Sequence, residues 1–269
     1  MNEHYRSFFG FTREPFTADL AQNEILETEA VTEVKTRFDY VVRLGAIGVV
    51  TGEIGSGKST ALRFASGSLH PSEYQMFYVM ASSGSILELY RQILEVLSIG
   101  KTSNSRAVLT ALIRKEIAEL VEEKKLKAAL IIDEASLLRL EVFAELHTIC
   151  QFHKDSKHYL PLILAGQANL VDKLMYRASA PLASRVVARS HLEGLDRKGM
   201  HQYIEHHLKL VGIKNNLFED SALTAIHQGS GGLLRKANHL ARGALIAAAA
   251  SKSTQVTADH VRLAATEIF

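Results

Sequence analysis

The chain has 269 residues, of which 47% are hydrophobic and 22% charged, with only four prolines and a formal net charge of +2. That balance excludes a disordered tail and gives no charge-based argument for or against nucleic acid, while the length suits one α/β domain with a smaller satellite. A single cysteine, Cys150, allows no internal disulfide, and no apolar run approaches the roughly 18 residues of a membrane span, so a cytoplasmic protein without a membrane partner is expected.

In chain order, the aromatics of Phe8-Phe9-Gly10-Phe11 and Pro15-Phe16 read as an extended leader whose rings must be buried somewhere. Residues 27–44 place Val31, Val34, Phe38, Val41 and Val42 at helical spacing. Residues 46–51 are a short apolar run, 52–59 a glycine-rich turn, and Thr60 opens a helix that ends near Gly67, which is strand, loop, helix. A second strand is expected over 76–81. Ser85 and Glu88 have the spacing of a capping box for a helix through Leu97, and an amphipathic helix runs from Arg106 toward Lys125. Strands at 128–132 and 161–165, a helix over 136–152 between them, and a fifth strand at 186–192 complete the pattern of a parallel sheet wrapped by helices. From Asp196 the character turns all-helical, over 197–211, 221–228, 233–250 and 258–267, with Asp220 and Thr257 as N-caps. The expected organisation is an α/β domain over 1–194, leader included, and a small all-α lid domain over 195–269.

Gly52-Glu53-Ile54-Gly55-Ser56-Gly57-Lys58-Ser59 matches the P-loop pattern G-x-x-x-x-G-K-[ST], and it has the strand before and helix after that the pattern requires. Its glycines let successive N–H groups turn toward phosphate oxygens, the helix start adds partial positive charge, and Lys58 adds a full one. ATP is the expected ligand, touched by Gly52, Glu53, Gly55, Ser56, Gly57, Lys58, Ser59 and Thr60, with Mg²⁺ on Ser59 and Asp133. Leu130-Ile131-Ile132-Asp133-Glu134 is an apolar strand tipped by two acids, which sets Asp133 near the metal and Glu134 near the attacking water. Alone, an acid in that place also reads as a helix cap.

Gln167, after the strand at 161–165, is a candidate for sensing the γ-phosphate or orienting water; the other reading is a solvated loop glutamine. Arg185 stands just before the fifth strand, at the rim where a neighbouring subunit's nucleotide would lie, and reads either as an arginine finger acting in trans or as a surface ion pair. Arg189 is the alternative finger. Arg235 in Gly231-Gly232-Leu233-Leu234-Arg235 opens a helix where the dipole disfavours a cation, so a compensating anion such as an ATP phosphate is expected, against an ordinary surface arginine. The twelve histidines show no H-E-x-x-H spacing, and Cys150 reads as a buried thiol with no nucleophilic role.

Taken together, the leader with Glu14-Pro15-Phe16, the P-loop, Ile131-Ile132-Asp133-Glu134-Ala135, Leu164-Ala165-Gly166-Gln167, Ser184-Arg185-Val186 and Gly231 to Arg235 resemble the ExeA/GspA-like AAA+ ATPases, a clade close to the transposition regulators TniB and TnsC. The resemblance covers nearly the whole chain. It implies an ATPase that assembles with ATP as a ring or helical filament on duplex DNA and regulates a transposase, and it implies that the leader helps enclose the adenine. Secretion-type members are similar over this part but continue into a membrane segment; ending at Phe269, the sequence fits the transposition branch better, with assistance to a secretion complex as the alternative. Lys101, Arg106 and Lys115 are candidate backbone contacts to DNA, each equally readable as part of a solvated helix face.

Overall fold

The computed structural model describes residues 3–100 and 103–267. In chain order its elements are α1 (Glu3–Phe9), α2 (Glu29–Leu44), β1 (Ile47–Gly52), α3 (Lys58–Gly67), β2 (Tyr74–Met80), α4 (Ile86–Val96), α5 (Arg106–Glu122), β3 (Lys127–Asp133), α6 (Leu140–Leu146), β4 (Leu162–Gly166), α7 (Asn169–Met175), α8 (Ala180–Ala183), β5 (Val186–Leu192), α9 (Arg197–Leu210), α10 (Asp220–Ser230), α11 (Leu234–Ala250) and α12 (Ala258–Ala265). They form two units. An α/β unit holds Glu29–Gly52 and Lys58–Leu192; a helical unit holds the residues up to Thr28, the loop Glu53–Gly57 and the chain from Glu193 onward.

The α/β unit is built on a five-stranded parallel sheet in the order β2-β3-β4-β1-β5. Its central strands are apolar on both faces because helices cover both, and the two-residue period sorts their side chains. Leu130, Ile132, Leu162 and Leu164 join Ile93 of α4, Ile113 and Ile117 of α5 and Phe143 of α6 in one core layer. Ala129, Ile131, Ile163 and Ala165 meet Val34, Phe38 and Val41 of α2 and Leu62 of α3 in the other. Each such aliphatic side chain contributes about 1.5–3 kcal/mol on burial, so the two layers hold the strand order and with it the carboxyl edge where the polar residues stand.

The helical unit has a different core. Met200, Ile204 and Leu208 of α9, Ile226 of α10 and Leu240, Ala241, Ala244 and Ala248 of α11 surround the buried rings of Tyr5, Phe11, Phe16 and Phe218. Small residues let α11 and α12 approach closely: a side chain added at Gly243 would meet the Ala264 Cβ at 2.7 Å. Among the described residues no helix is long and apolar enough to cross a membrane.

Several expected elements differ. The leader is not extended at its start, since Glu3–Phe9 is helical and ends at Gly10 with φ +73, and its aromatic rings pack within their own unit. The helix expected over 136–152 is broken into a 3-10 turn (Ala135–Leu137), α6 and a second 3-10 turn (His147–Cys150). At the first break the Lys173 amine takes the Ser136 and Leu138 carbonyls at 2.6 Å each, which holds them out of a helical ladder. Ser85 stands at the N-cap of α4 without a side-chain cap bond, so no capping box forms there, and α10 begins at Asp220 with Glu219 as its N-cap. At seven and four residues, α7 and α8 are too short to show a helical period in the sequence.

Candidate nucleotide site

Within the α/β unit, parallel pairing brings the ends of β1, β3 and β4 to one edge, which is where open α/β sheets bind ligands. Lys58, the first residue of α3, is 6% exposed and its Nζ donates to the Gly52 carbonyl at 3.0 Å. A buried ammonium held over a backbone carbonyl is positioned to exchange that oxygen for a phosphate oxygen. Ser59 Oγ donates to Asp133 Oδ2 at 2.8 Å, so the two residues predicted to share a divalent ion are already in contact. Asp133 is 2% exposed, and its Oδ1 accepts the Glu134 N–H at 2.8 Å. A hydroxyl beside a carboxylate is a hard-oxygen donor set, which fits Mg²⁺, an ion that takes few protein ligands and fills the rest with water and phosphate.

Glu134 follows at once in the left-handed region, φ 53 and ψ 28. A non-glycine residue there costs about 1–3 kcal/mol and persists only where its surroundings hold it, which is common at functional sites. Lys173 of α7 holds it indirectly by tethering the turn that follows. Gly166 at the end of β4 lies so close to this turn that an added Cβ would meet the Ser136 amide nitrogen at 2.8 Å, and Gln167 comes next, partly buried, its carbonyl accepting from Leu170 at 3.0 Å.

Two contributors escaped sequence reasoning. Tyr78 of β2 donates its hydroxyl to Asp133 Oδ2, the oxygen that also receives Ser59, and burial with this carboxylate neighbour raises the phenol pKa. Lys173 is the other. Neither has a motif to announce it; the alternation in residues 74–80 places Tyr78 on a strand, and only strand pairing sets it beside Asp133.

The loop Glu53–Gly57 and Arg235 belong to the helical unit. Gly55 and Gly57 have φ of +84 and +98, a conformation that the glycines of a phosphate-cradling turn supply without strain. The Arg235 N–H donates to the Gly55 carbonyl at 3.2 Å, and an added Cβ at Gly55 would meet the Arg235 Cβ at 2.8 Å, so the first turn of α11 lies directly on this loop. Ser56 is buried, and its Oγ has no hydrogen-bond partner, an orphaned donor that fits an anionic ligand.

Arg185 is not brought to the Lys58–Asp133 cluster. It precedes β5, and its carbonyl accepts from Ile47 at the start of β1, so it stands at the amino end of strands whose carboxyl ends carry the cluster. Its guanidinium pairs with Asp155 at 2.6 Å and holds that carboxyl below its ordinary range. Arg189 lies outside the cluster as well, on the exposed side of β5. Arg106 pairs with Glu145 and Lys115 with Glu119, and Lys101 lies outside the described residues. Cys150 is buried, which pushes its thiol up to about 12 and leaves it inert. Among the described residues no cluster of three or more His, Cys, Asp or Glu side chains is set to hold a metal.

Residues 42–174 match the family described as the AAA domain. General secretion pathway protein A of Aeromonas hydrophila is 29% identical over 267 residues, covering 98% of this chain and 48% of that protein, so the chain spans about half the length of this relative. Among solved structures, Cdc6p from Pyrobaculum aerophilum superposes with a TM-score of 0.70 at 15% identity, covering 98% of this chain and 71% of that one. The Aeropyrum pernix ORC1 protein in complex with DNA gives 0.69 at 16%, covering 94% and 68%. The Thermotoga maritima RuvB Holliday junction branch migration motor gives 0.54 at 17%, covering 88% and 69%. With the glycine loop and the acid-tipped β3 in place, these likenesses show a P-loop fold of the AAA type.

Proposed function

We propose that the chain is a Mg²⁺-dependent ATPase whose ATP-bound subunits assemble on duplex DNA and regulate a transposase in the cytoplasm, with hydrolysis dismantling the assembly. The ATPase reading rests on one observation above all: Ser59 and Asp133 are in hydrogen-bond contact at 2.8 Å next to a buried Lys58. In this reading the loop amides from Gly52 to Thr60 and the Lys58 ammonium bind the phosphates. Ser59 Oγ and the Asp133 carboxylate would hold Mg²⁺, which supplies positive charge to the β- and γ-phosphate oxygens. Glu134 accepts a proton from the attacking water as its oxygen bonds to the γ-phosphorus and the bond to the ADP oxygen breaks, while Gln167 orients that water. Arg235, from a lid domain over 195–269, adds positive charge to the phosphates.

Arg185, placed at the other end of its own sheet, is the finger for a neighbouring subunit, released from Asp155 when the interface closes. Such head-to-tail contacts give rings or open filaments. Support for DNA comes from the fold shared with an ORC protein solved in complex with DNA, and support for the transposase from the resemblance to TniB and TnsC. A second reading, assistance to assembly of a secretion complex, is favoured by the 29% likeness to General secretion pathway protein A along almost the whole chain.

Electron microscopy with a non-hydrolysable ATP analogue separates the two. Rings or filaments that require duplex DNA, together with DNA-stimulated phosphate release, are expected. No affinity for duplex at low salt would reject the DNA reading and leave the secretion reading, and a transposase that fails to bind the assembled form would remove the last step.

A further inference from the structure

In the α/β unit, α2 and the edge strand β5 frame an open cleft of about 510 Å³ whose lining includes Arg37, Tyr40, Arg43, Val187 and Arg189. Helical spacing places Thr36, Tyr40 and Arg43 along one face of α2, with Arg37 beside them. Arg37 is committed: it pairs with Glu33 one turn earlier and donates to the Arg189 carbonyl, which closes part of the sheet edge. Arg43 and Arg189 are not. Among the described residues neither has a carboxylate within ion-pair distance; Arg43 lies 5.9 Å from the centroid of the Tyr40 ring, itself 43% exposed. β5 carries a bulge here, since Ile47 pairs with Val186 and Gly48 with Ala188, leaving Val187 as the extra residue. Bulges re-aim neighbouring side chains, and this one sits on the strand that presents Arg189.

The Arg43 and Arg189 guanidiniums, with no carboxylate beside either among the described residues, leave positive charge at this cleft that an anion would offset. ATP is not that anion, because the cleft lies toward the amino ends of the strands and the Lys58–Asp133 cluster lies at their carboxyl ends. We propose that the α2/β5 cleft is the surface that docks the phosphate backbone of duplex DNA, with Arg43 and Arg189 each engaging a phosphate and Tyr40 packing against the sugar edge. The inference rests on the DNA reading above and gives it a place. Guanidinium forks match phosphate oxygens two at a time, and an arginine laid on an exposed aromatic ring suits a nucleic acid better than an acidic protein surface. The basic residues that sequence alone put forward fit less well, as Arg106 and Lys115 are already paired with acids.

The test is binding of a fluorescent mixed-sequence duplex to the full chain with a non-hydrolysable ATP analogue, over a salt series, for wild type, R43E/R189E and R43K/R189K. R43E/R189E should bind about tenfold or more weakly, and its salt slope should shrink by about 2, one per lost phosphate contact. R43K/R189K should keep most of the slope, and ADP affinity by calorimetry should match wild type in both, which shows the fold intact. Wild type that binds while R43E/R189E binds equally well overturns the cleft and leaves the DNA reading standing. Wild type that binds no duplex removes the DNA reading, and the cleft proposal falls with it. If R43E/R189E abolishes self-assembly measured without DNA, yet keeps the full salt slope, the cleft is a contact between copies of the chain and the proposal is wrong.

Discussion

The α/β unit and the helical unit bury polar side chains on different terms. Lys58 at the start of α3 and Asp133 at the end of β3 have polar partners, a carbonyl at 3.0 Å for the first and a serine hydroxyl, a tyrosine hydroxyl and a backbone amide for the second. His207 in the helical unit has aromatic neighbours instead: it stacks on Phe16 at 5.3 Å and leans on Tyr203 at 4.5 Å, and its Nε2 has no hydrogen-bond partner. Desolvation drives its pKa down to about 3, so it is held neutral. Burial of Lys58 and Asp133 serves exchangeable chemistry, and burial of His207 serves packing.

Lys58→Ala should break the first half of that comparison most severely. We expect a loss of nucleotide affinity of about 100-fold or more in calorimetry, with the melting temperature little changed, because the lysine's service is to the ligand and not to the core. Glu134→Gln should bind ATP normally and hydrolyse it about 10²–10³-fold more slowly in steady-state phosphate release. Turnover at the wild-type rate would remove Glu134 from the role of base.

Two further predictions concern stability. Gly166→Ala pushes a methyl group against the Ser136 amide and should cost about 1–3 kcal/mol in denaturant unfolding, lowering turnover through the displaced turn after Glu134. His207 binds its proton more weakly in the folded chain than in the unfolded one, where the ordinary value of 6.5 applies. Its contribution is therefore fully present above pH 6.5 and is lost as pH falls toward 3, at most about 1.4 kcal/mol per pH unit. Melting curves between pH 4 and 7 should show this slope flattened in His207→Phe. The smallest effect is expected from Tyr78→Phe: freeing Asp133 Oδ2 from its tyrosine partner should lower the magnesium concentration that half-saturates ATP binding by about two- to threefold. A rise instead would mean that Tyr78 supports Asp133 and does not compete for it.

The P-loop and the acid-tipped strand were legible because both are contiguous. A glycine pattern between an apolar run and a helix, or two acids ending a strand, encodes its geometry within a few residues through backbone periodicity and the φ freedom of glycine. That the sheet is parallel was legible for the same reason, from the alternation of strand and helix. Less visible were the breaks in that regularity, since the expected helix over 136–152 looks continuous in its apolar spacing, and the lysine from α7 that holds the Ser136 and Leu138 carbonyls at the first break lies far along the chain.

Residue identities and local period alone thus determined that a glycine-rich loop joins a strand to a helix and that one apolar strand ends in two acids. Only the tertiary structure decided that Tyr78, 55 residues away in sequence, shares the carboxylate of Asp133, that Arg185 stands at the opposite end of the strands from the Lys58–Asp133 cluster, and that β5 is bulged at Val187 in the cleft lined by Arg43 and Arg189. Those facts depend on strand order and register, which follow from many apolar contacts summed across the sheet, and no single short stretch of sequence records that sum.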